Sequence, residues 1–402
     1  MREFRGRTAK PRLWTGNYSL TILSTLAFWT SNMYLWTVLP TYVEAKGGSE
    51  WAVGMVIGSF NLLPILLRPP LGRLVDRYGR RSLMLLGTLV AIGCSVAYVF
   101  AGSVAVLFAL RTVHGLALAA FPTGAGALVA DIAPADRRGE GLAGFNMLPS
   151  VAQMAAPAIG FQLAGALGYN AAFALSAATA AANLGIMAFV REATGFRSTR
   201  AIPRNSLSRK AVPIAALFLC VTIAFGAVNA FLPLLTDERG LGNPGLFFTM
   251  LGLFSVLAFP LAGRASDAWG RARVVLPGLL LTMGAMWMLA GASTRWMLVG
   301  AGSALGAGNG LAQTGLMALA IDRSPPDERG AATATFQWSW DIGGSAGGML
   351  MGLVAASMSL DYVFWIVGAM SALGLLFFLR HMRSGQTAPR QGMGTETKGA
   401  ME

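Results

Sequence analysis

Stretches of predominantly apolar residues, each about 20 residues long, recur along almost the whole chain. A helix of that length crosses the roughly 30 Å hydrocarbon core of a bilayer, and lipid tolerates only helices and closed barrels as spanning structures. We count twelve such stretches between residues 18 and 380, so the sequence predicts an all-α membrane protein of 12 transmembrane helices. The approximate centres are Ala27, Gly58, Val90, Leu116, Ala152, Ala178, Thr222, Gly252, Leu280, Gly308, Gly347 and Met370.

Positive charges are distributed unevenly among the segments that join these stretches. Of the 31 Lys and Arg residues, 26 fall in the two terminal segments and in every second connection, whereas only Lys46, Arg239 and Arg295 fall in the other connections. Because cytoplasmic loops retain Lys and Arg, the pattern predicts that both termini face the cytoplasm. The same sorting accounts for the net charge of +13, and we therefore expect no nucleic acid partner.

Several function classes lack the residues that they would need. Cys94 and Cys220 lie in apolar stretches of different halves, which argues against a disulfide and leaves too few thiol ligands for a metal site. The sequence contains neither a Gly-x-x-x-x-Gly-Lys-Ser/Thr phosphate loop nor a His-Glu-x-x-His motif. We therefore expect no cofactor, no metal and no enzymatic activity.

The chain contains an internal repeat. The segment "GRLVDRYGRR" from Gly72 recurs as "GRASDAWGRAR" from Gly263, an offset of 191 residues, and the same offset relates "TGAGALVADIAPADRRG" from Thr123 to "TGLMALAIDRSPPDERG" from Thr314. Six spans have thus been duplicated in the same direction. We expect a six-helix bundle over residues 1–190, a polar and basic cytoplasmic linker over 191–211, and a second bundle with a cytoplasmic tail over 212–402.

The loop after the second span resembles the signature Gly-x-Leu-x-Asp-Arg-x-Gly-Arg-Arg of the major facilitator superfamily, with a degraded copy in the second half. The matching residues are Gly72, Leu74, Asp76, Arg77, Gly79, Arg80 and Arg81. The resemblance implies the major facilitator fold, in which two pseudo-symmetric six-helix bundles are related by an axis along the membrane normal. The chain is most similar in pattern to twelve-span bacterial drug/proton antiporters, which implies a monomer in the bacterial inner membrane.

The resemblance also implies a gate at the cytoplasmic side. A carboxylate is favoured at a helix N-terminus, so Asp76 is expected to cap the eleventh span near Gly330, and Asp267 the fifth span near Gly139. The arginines of the repeated loops are expected to pair with acids at the ends of the fourth and tenth spans. This set consists of Arg77, Arg80 and Arg271 with Asp131 and Asp322. The alternative is that these arginines only set topology and bind lipid phosphates.

Asp341 is the one acidic residue of 18 that lies deep within a predicted span. Ionisable groups in hydrocarbon are costly and are therefore functional candidates. We predict that Asp341 carries the coupled proton; the alternative is a structural aspartate hydrogen-bonded to a neighbouring helix.

The fourth span contains two further ionisable residues. Arg111 and Gly115 resemble the Arg-x-x-x-Gly signature of proton-driven members of the superfamily, and His114 lies on the same helix face. The resemblance implies that Arg111 influences protonation of a nearby group, and His114 is a second candidate proton carrier; a hydrogen-bonded, inert histidine is the alternative. Arg68, four residues before the signature loop, is expected to snorkel to the cytoplasmic interface.

The fifth span matches the antiporter signature Gly-Pro-x-x-Gly-Gly only in part. Pro157 and Gly160 fit the pattern, whereas Ala156 and Phe161 stand where it has glycine. Close packing of small residues around a proline bend is the alternative reading of this segment.

Polar and aromatic side chains in the spans are candidates for lining a central cavity. The predicted substrate-binding residues are Trp29, Asn32, Tyr34, Trp36, Asn61, Asn229, Asn309, Gln313 and Trp338. Their character favours an amphipathic or lipophilic organic solute, although aromatics near span ends also serve as interface anchors.

These features predict a secondary active transporter that exports such a solute in exchange for protons by alternating access. Its partners are then a small-molecule substrate, protons and membrane lipids. The alternatives are a facilitator or symporter for a sugar, metallophore or lipid, and a receptor that binds solute without moving it.

Overall fold

The computed structural model describes residues 12–192, 208–325 and 328–385, and within these ranges the chain is helical without strands. The predicted linker falls largely on 193–207 and the predicted tail largely beyond 385, outside the described residues. The helices are α1 (Gly16–Met33), α2 (Leu35–Ala45), α3 (Glu50–Ser59), α4 (Leu62–Tyr78), α5 (Arg80–Val99), α6 (Val104–Ile132), α7 (Arg138–Gln153), α8 (Ala156–Leu167), α9 (Tyr169–Phe189), α10 (Val212–Glu238), α11 (Gly245–Trp269), α12 (Arg271–Ala290), α13 (Arg295–Asp322), α14 (Arg329–Ser357) and α15 (Leu360–Gly385).

Nine segments of the described chain are long and apolar enough to cross a membrane. They include the consecutive pairs α3/α4 and α7/α8, each counted as one segment. The pair α1/α2, together with α13 and α14, is not among them, although we predicted spans there. Helix α1 is rich in Ser, Thr and Asn, and α13 and α14 are rich in glycine and polar residues, which lowers the hydropathy of all three helices.

The sequence repeat reappears as a repeat of helices. Adding 191 to the bounds of α5 gives the bounds of α12, and adding 191 to the first residue of α6 gives the first residue of α13. The single residue between α4 and α5 is Gly79, with φ 92° and ψ 158°, and the single residue between α11 and α12 is Gly270, with φ 92° and ψ 152°. Because this positive φ disfavours every residue with a side chain, the shared glycine explains why both repeats turn at the same place.

The halves differ where helices break. The first repeat divides at Tyr34, at Phe60–Asn61 and at Met154–Ala155, whereas the matching α10, α11 and α14 are continuous. Prolines lie inside α10 and α11 without ending either helix.

The two ends of the molecule differ in charge. One end, called the arginine-rich end, contains the starts of α5, α7, α12 and α14, each of which begins with arginine. Helix starts and helix ends meet there, because Arg80 pairs with Asp131 and Arg271 pairs with Asp322. The other end, called the opposite end, contains Glu44, Glu50, Asp237 and Glu238 around a shared pocket.

Glycines let helices of the two repeats touch near the opposite end. A Cβ added at Gly348 of α14 would lie 2.8 Å from the Gly58 nitrogen and 2.9 Å from the Gly54 oxygen of α3. Gly245 of α11 likewise leaves no space for a side chain against the backbone of Ala158 in α8. Such backbone contact needs small residues, as in other helix pairs in membranes. We call the contact of α3 with α14 through Gly54, Gly58, Gly348 and Gly352 the glycine seam.

Candidate functional site

A cavity of about 650 Å³ lies between helices of the two repeats. Toward the arginine-rich end its lining reaches Leu142 and Thr333, which stand four residues after the starts of α7 and α14. Toward the opposite end, Trp36 of α2 meets Phe248 of α11 with ring centroids 6.1 Å apart, and α3 contacts α14 through the glycine seam. The cavity is thus closed off from the opposite end and extends to the arginine-rich end.

Many residues predicted to form the site do line this cavity. They are Trp29, Trp36, Asn61, Arg111, Asn229, Asn309, Gln313 and Asp341. They come from helices of both repeats, so the site is shared between the two halves of the sequence.

Four predicted residues do not line the cavity. The Asn32 amide donates to the Phe28 carbonyl one turn earlier, at 2.9 Å, and is buried. Tyr34 forms the junction of α1 and α2, where its backbone packs against Gly160. Trp338 and His114 lie outside the lining as well. Burial within a helix packing face, rather than exposure to the cavity, accounts for Asn32 and His114.

On α14 the cavity is lined by Trp340 and not by the predicted Trp338. The lining residues Gln337, Trp340, Asp341 and Gly344 are spaced at i, i+3, i+4 and i+7 and so share one helix face. Trp338 lies three residues before Asp341 and one after Gln337, turned away from that face's centre. Spacing from Asp341 alone favours Trp338, three residues away, over Trp340, which is adjacent; the lining face is recognisable only when Gln337 and Gly344 are included.

Asp341 forms an ion pair with Arg68 across the two repeats. The Arg68 Nε donates to Asp341 Oδ2 at 2.5 Å, and its Nη2 donates to Oδ1 at 3.0 Å, which is the bidentate geometry of strong guanidinium–carboxylate pairs. The Asp341 side chain is 2% exposed and that of Arg68 is 23% exposed. The expectation that Arg68 snorkels to the interface is therefore wrong, because a carboxylate inside the protein compensates its charge.

Arg111 lies in a different environment. Its residue is 2% exposed, and its guanidinium lies 3.8 Å from the centroid of the Phe60 ring. The Nε and Nη1 atoms are buried without a hydrogen-bond partner. Gly115, one turn further along α6, lets the helix approach the Phe60 carbonyl and so brings Arg111 over the ring.

His114 is fully buried behind Arg111. Its Nδ1 is 3.2 Å from the Tyr98 hydroxyl, and its ring packs edge to face with Phe60 at 5.5 Å. This is the hydrogen-bonded arrangement that we named as the alternative to a proton carrier, although its Nε2 has no partner.

Three amides of the lining leave polar atoms unsatisfied. The Oδ1 atoms of Asn229 and Asn309 and the Nε2 atom of Gln153 are buried without a hydrogen-bond partner. These residues come from α10, α13 and α7. Buried polar groups in folded proteins are nearly always hydrogen-bonded, so this set is suited to bind a polar ligand or water.

The predicted gate residues form pairs within each repeat. Arg80 Nε donates to Asp131 at 2.8 Å, and Arg271 Nε donates to Asp322 at 3.0 Å. The Arg77 side chain is exposed and lies over the Tyr78 ring. These pairs join helix starts to helix ends inside a repeat.

Of the contacts predicted between repeats at this end, the one from Asp267 to α7 can be followed in the described residues, and it is not formed. The Asp267 carboxylate is 75% exposed and pairs with Arg271 one turn away, and nothing lies within 4 Å of where a Cβ of Gly139 or Gly330 would be. Asp267 therefore does not cap α7 in this structure, because the cavity extends between the repeats there. The surroundings of Gly72 and the side chain of Asp76 lie outside what the structure describes.

In the fifth-span segment, α8 begins after the break at Ala155 with Pro157 near its start. The Thr37 hydroxyl donates to the Pro157 carbonyl at 2.8 Å, and Gly160 lies against the Tyr34 backbone. The proline and glycine thus fix the contact between α8 and the junction of α1 with α2.

At the opposite end, Glu44, Glu50, Asp237 and Glu238 surround a pocket of about 390 Å³. The pKa of Glu44 is raised above its usual value, first by partial burial and then by repulsion from Asp237, Glu50 and Glu238. Within the described ranges these acids do not form a group arranged to hold a metal ion.

The sequence is similar to known transport proteins over most of its length. The family model described as "Major Facilitator Superfamily" matches residues 21–259 and 243–399. The staphylopine export protein of Staphylococcus aureus is 23% identical over 360 residues, which cover 86% of this chain and 90% of that protein. The class B tetracycline resistance protein of Escherichia coli is 26% identical over 390 residues, which cover 90% of this chain and 94% of that protein.

Similarity extends to solved structures. A crystal structure of the nucleoside transporter NupG has a TM-score of 0.76 to this chain, with 13% sequence identity, and the match covers 90% of this chain and 99% of that one. At 13% identity this similarity shows a shared fold and nothing about the substrate.

Proposed function

This chain belongs to the Major Facilitator Superfamily, and from that premise we propose that it is a proton-coupled exporter of a small amphipathic organic solute. It is a multi-pass membrane transporter and not an enzyme. In the proposed arrangement the 15 helices form twelve spans in two six-helix bundles, because the pairs α1/α2, α3/α4 and α7/α8 each cross once. The bacterial inner membrane is the proposed location, with both termini and the arginine-rich end in the cytoplasm.

The ion pair between Arg68 and Asp341 carries this proposal. It connects α4 of the first repeat to α14 of the second at the wall of the cavity. Protonation of Asp341 removes the charge that Arg68 neutralises, and it thereby weakens a direct link between the halves. Proton uptake and release at one carboxyl would in this way be coupled to the relative movement of the two bundles.

The position of the cavity supports export as the direction of transport. The site is continuous with the arginine-rich end, which we place in the cytoplasm, so a cytoplasmic solute can reach it in this conformation. Two relatives that cover most of this chain carry export or drug resistance in their names, the staphylopine export protein and the tetracycline resistance protein. Rocking of the bundles would then expose the site to the other side.

Transport in proteoliposomes tests the proposal. Fluorescent amphipathic acids and cations are supplied outside vesicles that contain the protein with its cytoplasmic side facing outward. A proton gradient is imposed with the lumen either more acidic or more basic than the outside. Wild-type protein should accumulate at least one probe only when the lumen is the more acidic side, so that probe and protons move in opposite directions. Asp341→Asn should abolish that dependence while some binding remains.

Asp361→Asn is the matched control, because Asp361 also pairs with an arginine, Arg239, but lies at the opposite end away from the cavity. It should retain the response to the gradient. Uphill transport by Asp341→Asn with an unchanged pH response would remove Asp341 from the coupling step.

A further inference from the structure

We infer that the exported solute carries a carboxylate or a comparable organic anion, and that Arg111 binds this group. The inference rests on the proposed function, since it names the substrate class of the same cavity. It follows from the charges of the lining residues, from the environment of the Arg111 guanidinium, and from the unsatisfied amides across the cavity.

The charges of the cavity do not cancel. Its charged lining residues among those described are Arg68, Arg111 and Asp341. Arg68 and Asp341 neutralise each other in a bidentate pair, which leaves the positive charge of Arg111 without a carboxylate partner. A cationic solute would add a second uncompensated positive charge to a largely apolar cavity, whereas an anionic solute would compensate the first.

The guanidinium of Arg111 is held ready for such a partner. Two of its nitrogens, Nε and Nη1, are buried and make no hydrogen bond, and the Phe60 ring lies 3.8 Å away. A ring face stabilises a guanidinium but accepts no strong hydrogen bond, so the donors remain available. The N–H groups on Nε and Nη1 point to different edges of the guanidinium, so a carboxylate oxygen can accept a charge-assisted hydrogen bond from either one. On the neighbouring side, the Tyr98 hydroxyl interacts with both His114 and Arg111, and neither Tyr98 nor His114 supplies a negative charge there.

The rest of the cavity suits an amphipathic acid with further polar groups. Asn229 and Asn309, on α10 and α13 of the second repeat, each present an unsatisfied amide oxygen, and so favour a solute with hydrogen-bond donors at its other end. Between these polar ends the walls include Phe145, Phe225 and Trp340. A volume of about 650 Å³ falls within the range of sites for drug-sized molecules.

Binding of matched probes to the purified full-length protein tests the inference without any need for transport. The probes are pyrenebutyrate, its neutral amide pyrenebutanamide, and the cation pyrenemethylammonium, which share one apolar ring system. Wild-type protein should bind the acid about tenfold or more tightly than the amide, as expected for a charge-assisted hydrogen-bond pair, and should bind the cation most weakly.

Arg111→Gln should remove the difference between acid and amide, and Arg111→Lys should restore part of it. Arg295→Gln is the control: it removes the same charge from an exposed arginine that also lies beside an aromatic ring, and it should leave the ratio unchanged. If thermal unfolding shows that Arg111→Gln does not fold, the inference is tested instead by the ratio of acid to amide affinity in wild-type protein and in Arg111→Lys.

Equal or tighter binding of the amide or the cation by wild-type protein, or no binding of the acid at millimolar concentration, would overturn the inference. A persistent preference for the acid in Arg111→Gln would also overturn it, because another residue would then bind the anion. The binding results and the test of the proposed function can fail independently of each other. A preference for the acid without gradient-driven transport contradicts proton coupling alone, and gradient-driven export of the cation without that preference contradicts the substrate class alone.

Discussion

At the scale of single residues, the wall of the cavity contains a neutralised pair, Arg68 with Asp341, and a guanidinium, that of Arg111, without a carboxylate partner. Asp341 and Arg111 stood out because each lies within an apolar stretch. The pairing of Asp341 with Arg68 could not be predicted, since it depends on how α4 and α14 pack across the repeats. Arg68 lies close enough to the charged loop that an interfacial position was the simplest interpretation. Tertiary packing therefore determines which charged groups form pairs. The sequence alone shows which charged groups lie in apolar segments, where a charge is costly.

The ion pair between Arg68 and Asp341 should show strong energetic coupling. Removal of one partner leaves the other charge uncompensated inside the protein, while removal of both does not. We expect Arg68→Gln and Asp341→Asn each to lower the unfolding temperature, and the double variant to recover part of the loss. The coupling energy should be about 1–3 kcal/mol. Additive effects of the two substitutions in a double-mutant cycle would show that the pair is not formed.

At the scale of helices, the repeat predicted which segments correspond, and the structure follows that correspondence closely at α5 and α12. The breaks in α1/α2, α3/α4 and α7/α8 were not predicted. Two of the breaks lie just before a proline that the second repeat lacks, since Pro64 corresponds to Ser255 and Pro157 to Gly348. The break at Tyr34 has no such signal, because Pro40 and Pro233 occupy corresponding helices and neither ends its helix. At Tyr34 the break coincides with close contact between its backbone and Gly160.

The one-residue connections at Gly79 and Gly270 yield a test at this scale. Gly270 has φ 92°, yet nothing lies within 4 Å of where its Cβ would be, so Gly270→Ala tests backbone strain without a clash. We expect a loss of about 1–3 kcal/mol in the free energy of unfolding. Gly263→Ala is the control, because Gly263 lies inside α11 with equal space around it, and it should be neutral or slightly stabilising. Equal stability of the two variants, measured by thermal unfolding, would contradict the strain argument.

At the scale of the whole molecule, the sequence predicted an all-α transporter fold, and the family match and the helical structure confirm it. The conformation was not predictable, because one sequence must serve every state of the transport cycle. The gate predicted at Asp267 illustrates this limit: its carboxylate is exposed in a structure whose cavity reaches the arginine-rich end. The contact of Asp267 with α7 stays a prediction for a state in which that end is closed.

The acids of the opposite end should make the closure of that end depend on pH. The pKa of Glu44 is raised here, so its neutral form is favoured in this conformation, and charging it as the pH rises destabilises the contact. Acidification should therefore favour closure. We expect the distance between spin labels at Gly102 and Ser293, which correspond in the two repeats, to shift toward shorter values as the pH falls.

Glu44→Gln should weaken this response, whereas Glu140→Gln, which removes an exposed carboxylate paired with Arg137 at the arginine-rich end, should not. Because Glu44 is largely exposed and screened by solvent, the effect on stability should be small, about 0.5 kcal/mol or less. A label distance that does not change with pH would contradict the repulsion described here.

The glycine seam has a consequence for how easily the two bundles can part. The helices touch there mainly backbone to backbone through Gly54, Gly58, Gly348 and Gly352, with the Met349 side chain also against Gly58, so few side chains must change rotamer when the helices separate. A methyl group added at Gly54 would collide with the Gly348 carbonyl oxygen and keep α3 and α14 apart at the opposite end.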